Sequence, residues 1–389
     1  MKTYERTHTW ISFQIDLKTA APDFWLLLGE AVSKCDHLSR VPLRPSTARL
    51  LHQQYLAKGV AATTAIEGNT LSEAEVLKAV EGKLEVPPSM EYLKQEVDNI
   101  IAACNSISDA LAGSKLGAVT PQLLARYNKQ VLSGLPEKAD VVPGKLRDHS
   151  VVVGRVYRGA PAEDCEYLLG RLCDWLSGPS FAPPQSQAAI YAIIKAILAH
   201  LYVAWIHPFG DGNGRTARLI EFHILLAAGI PSPAAHLLSN HYNQTRTEYY
   251  RQLDYSSKSG GDVLPFLMYA VQGFVDGLRA QIDFVWAQQL DVVWRNYVHE
   301  LFKGRTTAGD LRQRDLALDL GKKRDWVPLS DIALLTPRLA QAYATKTPKT
   351  LQRDLKVLED LDLILRETRR VRAHREVINA FLPLKRVGR

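Results

Sequence analysis

The stretch His207-Pro208-Phe209-Gly210-Asp211-Gly212-Asn213-Gly214-Arg215-Thr216-Ala217-Arg218 sets one imidazole, one carboxylate, one side-chain amide and two guanidiniums among three glycines. That assortment suits a polyanion. Glycine lets backbone approach a ligand closely. A helix starting at such a loop opens with amides that lack an intrahelical acceptor, at the positive end of its dipole. Arg215 and Arg218, at i and i+3, leave neighbouring faces of that first turn with planar forks matched to phosphate oxygens. Asp211 would repel phosphate unless a divalent metal bridged them, and Mg²⁺ held by one carboxylate plus substrate phosphates fits the position. His207, at the mouth of the loop, suits a neutral general base near pH 7. Together these residues describe a Mg-nucleotide site with a base beside it; any one of them alone would mean a turn with a solvated histidine.

Two apolar runs must hold this loop. Ala188–Ile206 is long enough for a core helix, and Leu219–Leu226 continues a second one. Pro208 disfavours helical geometry at His207 and ends the first helix there. The string matches, at every fixed position, the Fic signature His-x-Phe-x-(Asp/Glu)-Gly-Asn-Gly-Arg-x-x-Arg, so the chain resembles a Fic-family protein. The resemblance implies a mainly α fold, a Fic-type helical core with a β-hairpin flap, that moves AMP from ATP to a Ser, Thr or Tyr hydroxyl of a target protein. On that pattern His207 deprotonates the hydroxyl and Asp211 holds Mg²⁺ on the phosphates. Gly212, Asn213 and Gly214 cradle anionic oxygens, Arg215 and Arg218 neutralise the outer phosphates, and Phe209 anchors the loop. Removal of AMP is the rival within enzymes, and a DNA-bound regulator with a nucleotide-sensing core is the rival outside them.

Upstream, Pro45 to Glu67 has helical spacing and ends in Thr63-Thr64-Ala65-Ile66-Glu67-Gly68, with Gly68 suited to the C′ position. Glu67 then faces the negative end of the dipole, where water or a cation must keep it company. The stretch is similar to the inhibitory helix of some Fic proteins, (Ser/Thr)-x-x-x-Glu-(Gly/Asn). The implied partner of Glu67 is Arg218, with the carboxylate standing where a γ-phosphate oxygen would. Helices are also expected over Phe24–His37, Glu91–Leu111, Pro121–Leu132 and Ala162–Leu176. Valines either side of Gly154 predict a short hairpin, in which Val153, Gly154 and Arg155 correspond to the flap that registers a target by strand addition. Tyr249 and Tyr250 resemble the family's tyrosine pair at the nucleoside pocket, although an aromatic pair at a helix start is commonly core.

The formal charge of +7 is unevenly placed: residues 301–389 hold 20 Lys/Arg against 11 Asp/Glu, leaving 28 against 30 before them. In that basic tail Leu329–Leu335 and Thr347–Leu358 read as a helix-turn-helix. Leu363–Arg366 and Arg369–Arg372 read as a wing, so a C-terminal winged helix-turn-helix domain is expected. Lys349, Gln352, Arg353 and Lys356 are predicted to face solvent, for DNA or for a protein partner. The expected division is an N-terminal helical domain over residues 1–100, the Fic domain over 101–285, and a linker helix with the winged helix over 286–389. Cys35, Cys104, Cys165 and Cys173 lack paired metal-ligand spacing and read as reduced, buried thiols. Ala188–Ile206 carries Lys195 and His200 and reads as a buried helix, with no membrane partner. The start of the sequence leads into no apolar signal core, and the expected compartment is cytoplasmic. Self-modification is a further expectation, as is a homodimer built on Trp286, Trp294 and their helix.

Overall fold

The structure is a computed structural model; it describes residues 2–379 except 115, 137, 154–156, 183, 185 and 186. By contact the chain divides into Met1–Ile282 and Asp283–Arg389. The first unit runs α1 (Tyr4–Thr7), α2 (Pro22–Arg40), α3 (Pro45–Ile66), α4 (Glu73–Val80), α5 (Glu91–Ala112) and α6 (Pro121–Val131). The hairpin β1 (Val152–Val153) and β2 (Tyr157–Arg158) follows, then α7 (Cys165–Ser177), α8 (Ala188–Ile206) and α9 (Asn213–Ala227). Next come α10 (Ser232–Ala235), α11 (Leu237–Gln244), α12 (Arg246–Lys258) and α13 (Leu264–Leu301), within which the unit boundary falls. The boundary expected at residue 100 lies inside α5, and residues from Tyr4 to Leu278 share one apolar core.

Local chemistry sets several of these starts. Helices α2, α3 and α6 open with proline at N1, where its missing N–H costs nothing. Thr120 caps α6 by accepting from Leu123 N at 3.1 Å. Ser72 and Glu75 close a reciprocal capping box that starts α4.

Helix α8 is the axle of the unit. It is the helix among the described residues long and apolar enough to cross a membrane, with a mean hydropathy of 1.8, yet 72% of that window is buried inside the protein. It packs along α9, and a buried polar cluster stitches both to α11 and α12. His200 Nε2 meets Tyr249 Oη at 2.8 Å, Tyr242 Oη donates to Glu221 Oε1 at 2.7 Å, and Glu221 Oε2 lies 3.3 Å from His200 Nδ1. The four cysteines are free and buried, and burial pushes the Cys104 thiol up to about 12.

Helix α3 passes so close to its neighbours that a methyl carbon on Gly59 would overlap the buried His236 ring, which itself stacks on Phe222 at 4.5 Å. Neither ring has room to retreat. Gly59→Ala is therefore expected to lower the unfolding free energy by about 1–3 kcal/mol, the usual cost of overpacking, read as an earlier denaturant midpoint at unchanged slope.

In the second unit, α14 (Ala308–Leu320) starts at a Thr307–Asp310 capping box. Strand β3 (Val327–Pro328), α15 (Pro337–Tyr343), α16 (Pro348–Asp360), β4 (Ile364–Arg366) and β5 (Arg370–Ala373) follow, with an antiparallel sheet ordered β3-β5-β4. Buried Asp354 of α16 ties the helices together, taking Arg312 Nε at 2.7 Å, Gln313 Nε2 at 2.8 Å and Tyr343 Oη at 2.9 Å. The helix expected at Leu329–Leu335 is instead a 3₁₀ turn at Ile332–Leu334. The α-helix begins beyond it, where Thr336 accepts from Leu339 N and Pro337 takes N1. Trp294, expected on a homodimer face, is buried in this unit's own core and donates to Ala317 O at 3.3 Å; Trp286 is exposed.

Candidate functional site

Helix α8 ends at His207, which adopts a left-handed conformation (φ 50°, ψ 58°). For a residue with a Cβ this costs roughly 1–3 kcal/mol, so the surroundings must hold it. Arg147 does so: its Nε donates to His207 O at 2.7 Å, and its other nitrogens donate to the carbonyls of His149, Ala160 and Ile206. Its main chain pairs as well, Arg147 N donating to Pro208 O at 3.0 Å. A buried guanidinium collecting carbonyls at a helix C-terminus is also where the dipole favours a cation. Sequence reasoning gave Arg147 no role, since a lone arginine sixty residues away carries no short-range signature. The His207 ring is half-buried, and burial drives its pKa down to about 4, helped by the Arg147 charge and opposed by Ala204 O and the Glu67 and Asp211 carboxylates. The imidazole is thus neutral and able to accept a proton near pH 7.

The hairpin lies against this histidine. Val152 pairs with Arg158 and Val153 with Tyr157. Tyr157 Oη donates to Trp205 O at 2.7 Å, and a side-chain carbon on Gly159 would stand 3.0 Å from His207 Cβ. Gly154 and Arg155 lie outside the described residues.

Helix α9 opens at Gly212 (φ 75°), a conformation glycine adopts without strain. The first intrahelical bond is Thr216 N to Gly212 O at 2.9 Å, so the amides of Asn213, Gly214 and Arg215 precede it. The Asn213 side chain was expected on anionic oxygens, but both ends of its amide bind Phe209, accepting from its N at 2.9 Å and donating to its O at 2.8 Å. Asn213 thereby shapes the loop. Asp211 accepts Gly212 N at 2.6 Å and Lys138 Nζ at 2.5 Å. Burial alone would raise its pKa; the Lys138 bond and the Arg215 charge outweigh that and hold the carboxyl below its usual range. Asn128 braces the loop from α6, donating to Asp211 O at 2.8 Å. Lys138 and Asn128 escaped sequence reading because both reach the loop from distant helices and turns.

The two arginines differ. Arg215, expected on phosphate, is buried with Nη1 3.0 Å from Glu96 Oε1 and Nη2 3.5 Å from Asp211 Oδ1. The Glu96 contact joins α9 to α5. Arg218 Nη2 lies 2.5 Å from Glu67 Oε1 and also donates to Thr63 O at 3.1 Å. Its Nε is buried without an acceptor among the described residues. Glu67 is the C-cap of α3, followed by Gly68 at φ 102°, as the sequence predicts. Its carboxylate presses on the start of α9: a Cβ on Gly214 would overlap Glu67 Oε1. Arg246 of α12 holds this helix end, donating to Ala65 O at 3.1 Å and Ile66 O at 2.5 Å, and Tyr250 Oη reaches Ile66 O at 3.4 Å. Tyr249 is core, its hydroxyl engaged with His200; Tyr250 is the exposed member of the pair.

The two central helices of a mostly helical body are thus joined by a glycine-rich loop, with a neutral histidine at its mouth. Residues 118–225 match the Fic/DOC family. Protein adenylyltransferase fic-1 of Caenorhabditis briggsae is 32% identical over 236 residues, 59% of this chain and 42% of that protein. Protein adenylyltransferase Fic of Nematostella vectensis is 27% identical over 246 residues, 63% of this chain and 53% of its own. The chain spans about half the length of the curated relatives it matches. Among solved structures, Fic-1 from Caenorhabditis elegans superposes with a TM-score of 0.56 at 25% identity, over 68% of this chain and 73% of that one. A Fic family protein from Desulfovibrio desulfuricans G20 gives a TM-score of 0.55 at 21% identity, over 92% and 98%, a likeness of fold.

Proposed function

We propose that the chain is a protein adenylyltransferase that moves AMP from ATP to a protein hydroxyl and is held off by Glu67. The observation that carries this reading is the convergence of His207, the open turn of α9 and Arg218 on one loop, with a carboxylate lodged against the arginine. The names of the relatives support the same reaction class. In this mechanism His207 takes the hydroxyl proton, and the first-turn amides of α9 receive the α-phosphate charge as it develops. Arg218, once released by Glu67, binds the outer phosphates. Asp211 would hold Mg²⁺ through its carboxylate once Lys138 has moved from Oδ2. A metal held there would supply positive charge for the outer phosphates. Arg215 acts as a brace for the loop. The assay is transfer of label to protein from ATP labelled at the α-phosphate against ATP labelled at the γ-phosphate. Label arriving from the γ-position would replace this reading with phosphoryl transfer.

We read the second unit as a winged helix that touches nucleic acid through α16. Lys349 and Arg353 are exposed on it and have no carboxylate within 4.0 Å among the described residues, whereas Lys356 is paired with Asp360 at 3.0 Å. Two phosphate contacts predict duplex binding with a log–log salt slope of about −1.8, measured by gel shift over a salt series. No salt-sensitive binding would assign the module to a protein partner.

A further inference from the structure

Away from the anion loop lie two adjoining hollows, the first bordered by α8 and the C-terminal half of α9, the second by α5 and α6. One, of about 250 Å³, is walled by Phe181, Tyr191, Ala192, Ile224 and Ala227, with Lys195 at its side. The other, of about 550 Å³, is walled by Ile107, Leu116 and Leu123, with Arg126 at its rim. Gly117, Ala118 and His223 border both. The His223 ring is fixed between Tyr127 Oη at 2.9 Å and Gly117 O at 2.8 Å, and burial keeps it neutral. Among the described residues the charge on these walls has one sign: Lys195 and Arg126 are the ionised groups, and no Asp or Glu borders either hollow. Neither cation has a carboxylate within 4.0 Å among the described residues. Lys195 sits partly buried midway along the most apolar helix of the unit, and burial lowers its pKa. A cation held in an apolar wall without a counter-charge is a cost that an anionic ligand relieves.

We propose that this groove binds a small amphipathic carboxylate, with the carboxylate on Lys195 and the apolar tail along Phe181, Tyr191 and Ile224. The wall chemistry specifies both halves of such a ligand: one fixed positive charge for the head, and apolar side chains for a tail a few methylenes long. A neutral homologue keeps the tail contacts and loses the head, and a shorter acid does the reverse. Each buried methylene is expected to tighten binding by roughly four-fold.

The test is titration calorimetry on the full chain, with octanoate as the probe and hexanoate and octanol as comparators. Saturable one-to-one binding of octanoate is expected, with octanol at least ten-fold weaker and hexanoate weaker by about sixteen-fold, two methylenes' worth. Lys195→Met, which keeps the stem and removes the charge, should lose ten-fold or more for octanoate while binding octanol as before; Lys195→Arg should keep octanoate binding. The unaltered octanol affinity shows that the Met variant is folded. His207→Ala should bind octanoate like the wild type, so the result is independent of the transfer reaction. Equal affinity for octanoate and octanol, wild-type octanoate binding by Lys195→Met, or no saturable octanoate binding would each overturn the proposal.

Discussion

The Glu67→Gly variant is expected to transfer AMP to protein at least ten-fold faster than the wild-type chain at the same ATP concentration. Glu67 Oε1 lies 2.5 Å from Arg218 Nη2 and against Gly214, so in the proposed mechanism ATP places its outer phosphates on Arg218 only after that carboxylate leaves. Removing one partner of a fully buried pair costs about 3–5 kcal/mol. Here 31% of the Glu67 side chain meets solvent, and incoming phosphate replaces the lost charge, so the net barrier is smaller. A residual gap of about 1.4 kcal/mol already gives ten-fold. The pH dependence has a definite sign. Burial raises the Glu67 pKa, but the charge and hydrogen bond of Arg218, with Arg215 behind, lower it more, and the carboxyl ends below its ordinary value. The carboxylate is therefore ionised throughout pH 5–8, and on the proposed gating acidification to pH 5 should leave the wild type slow. Label transfer by both chains across that range checks this. Wild-type activity rising at pH 5 to the level of the Gly variant would show that the pair does not hold the gate. An enzyme that uses Glu67 to place water would instead lose AMP removal from a pre-modified target in this variant.

Much of this site was legible because its parts are either contiguous or periodic. The loop from His207 to Arg218 announces its chemistry in twelve residues, and the Pro208 break and the apolar run before it place the end of α8 at Ile206. Glu67 stood out by the mismatch between a carboxylate and the helix end it caps, and the resemblance to an inhibitory helix supplied Arg218 as its partner. What escaped were single residues whose meaning depends on tertiary position. Arg147, Lys138, Asn128 and Arg246 reach the site from segments remote in sequence, and a cation that collects backbone carbonyls leaves no spacing pattern. Two residues within the loop have partners that the sequence did not suggest. Asn213 and Arg215 are polar residues in an anion loop, and sequence cannot tell a ligand donor from one that satisfies its own loop or a buried partner such as Glu96. In the second unit the capping pairs Thr336–Pro337 and Thr307–Asp310 were readable, yet the apolar cluster Ile332-Ala333-Leu334-Leu335 drew the helix several residues early.

His207→Ala, made in the Glu67→Gly background so that loss is measurable, is expected to lower transfer by about 10³-fold, within the usual range for a positioned general base. The accompanying pH profile tests the environment as well as the residue. An exposed histidine would bring the rate down below pH 6.5, its ordinary pKa. Burial holds His207 at about 4, and the Arg147 guanidinium pushes the same way. Glu67 is among the charges that raise it, so deleting Glu67 leaves the imidazole no easier to protonate. The acid limb of kcat/KM, which reports the free enzyme, should therefore fall near pH 4, with a level rate from pH 5.5 to 8 in the Glu67→Gly chain. The residual rate of the double variant should lack that limb. A limb at pH 6.5 would mean that the imidazole works from a solvated position, and that the left-handed turn held by Arg147 opens before the proton is taken.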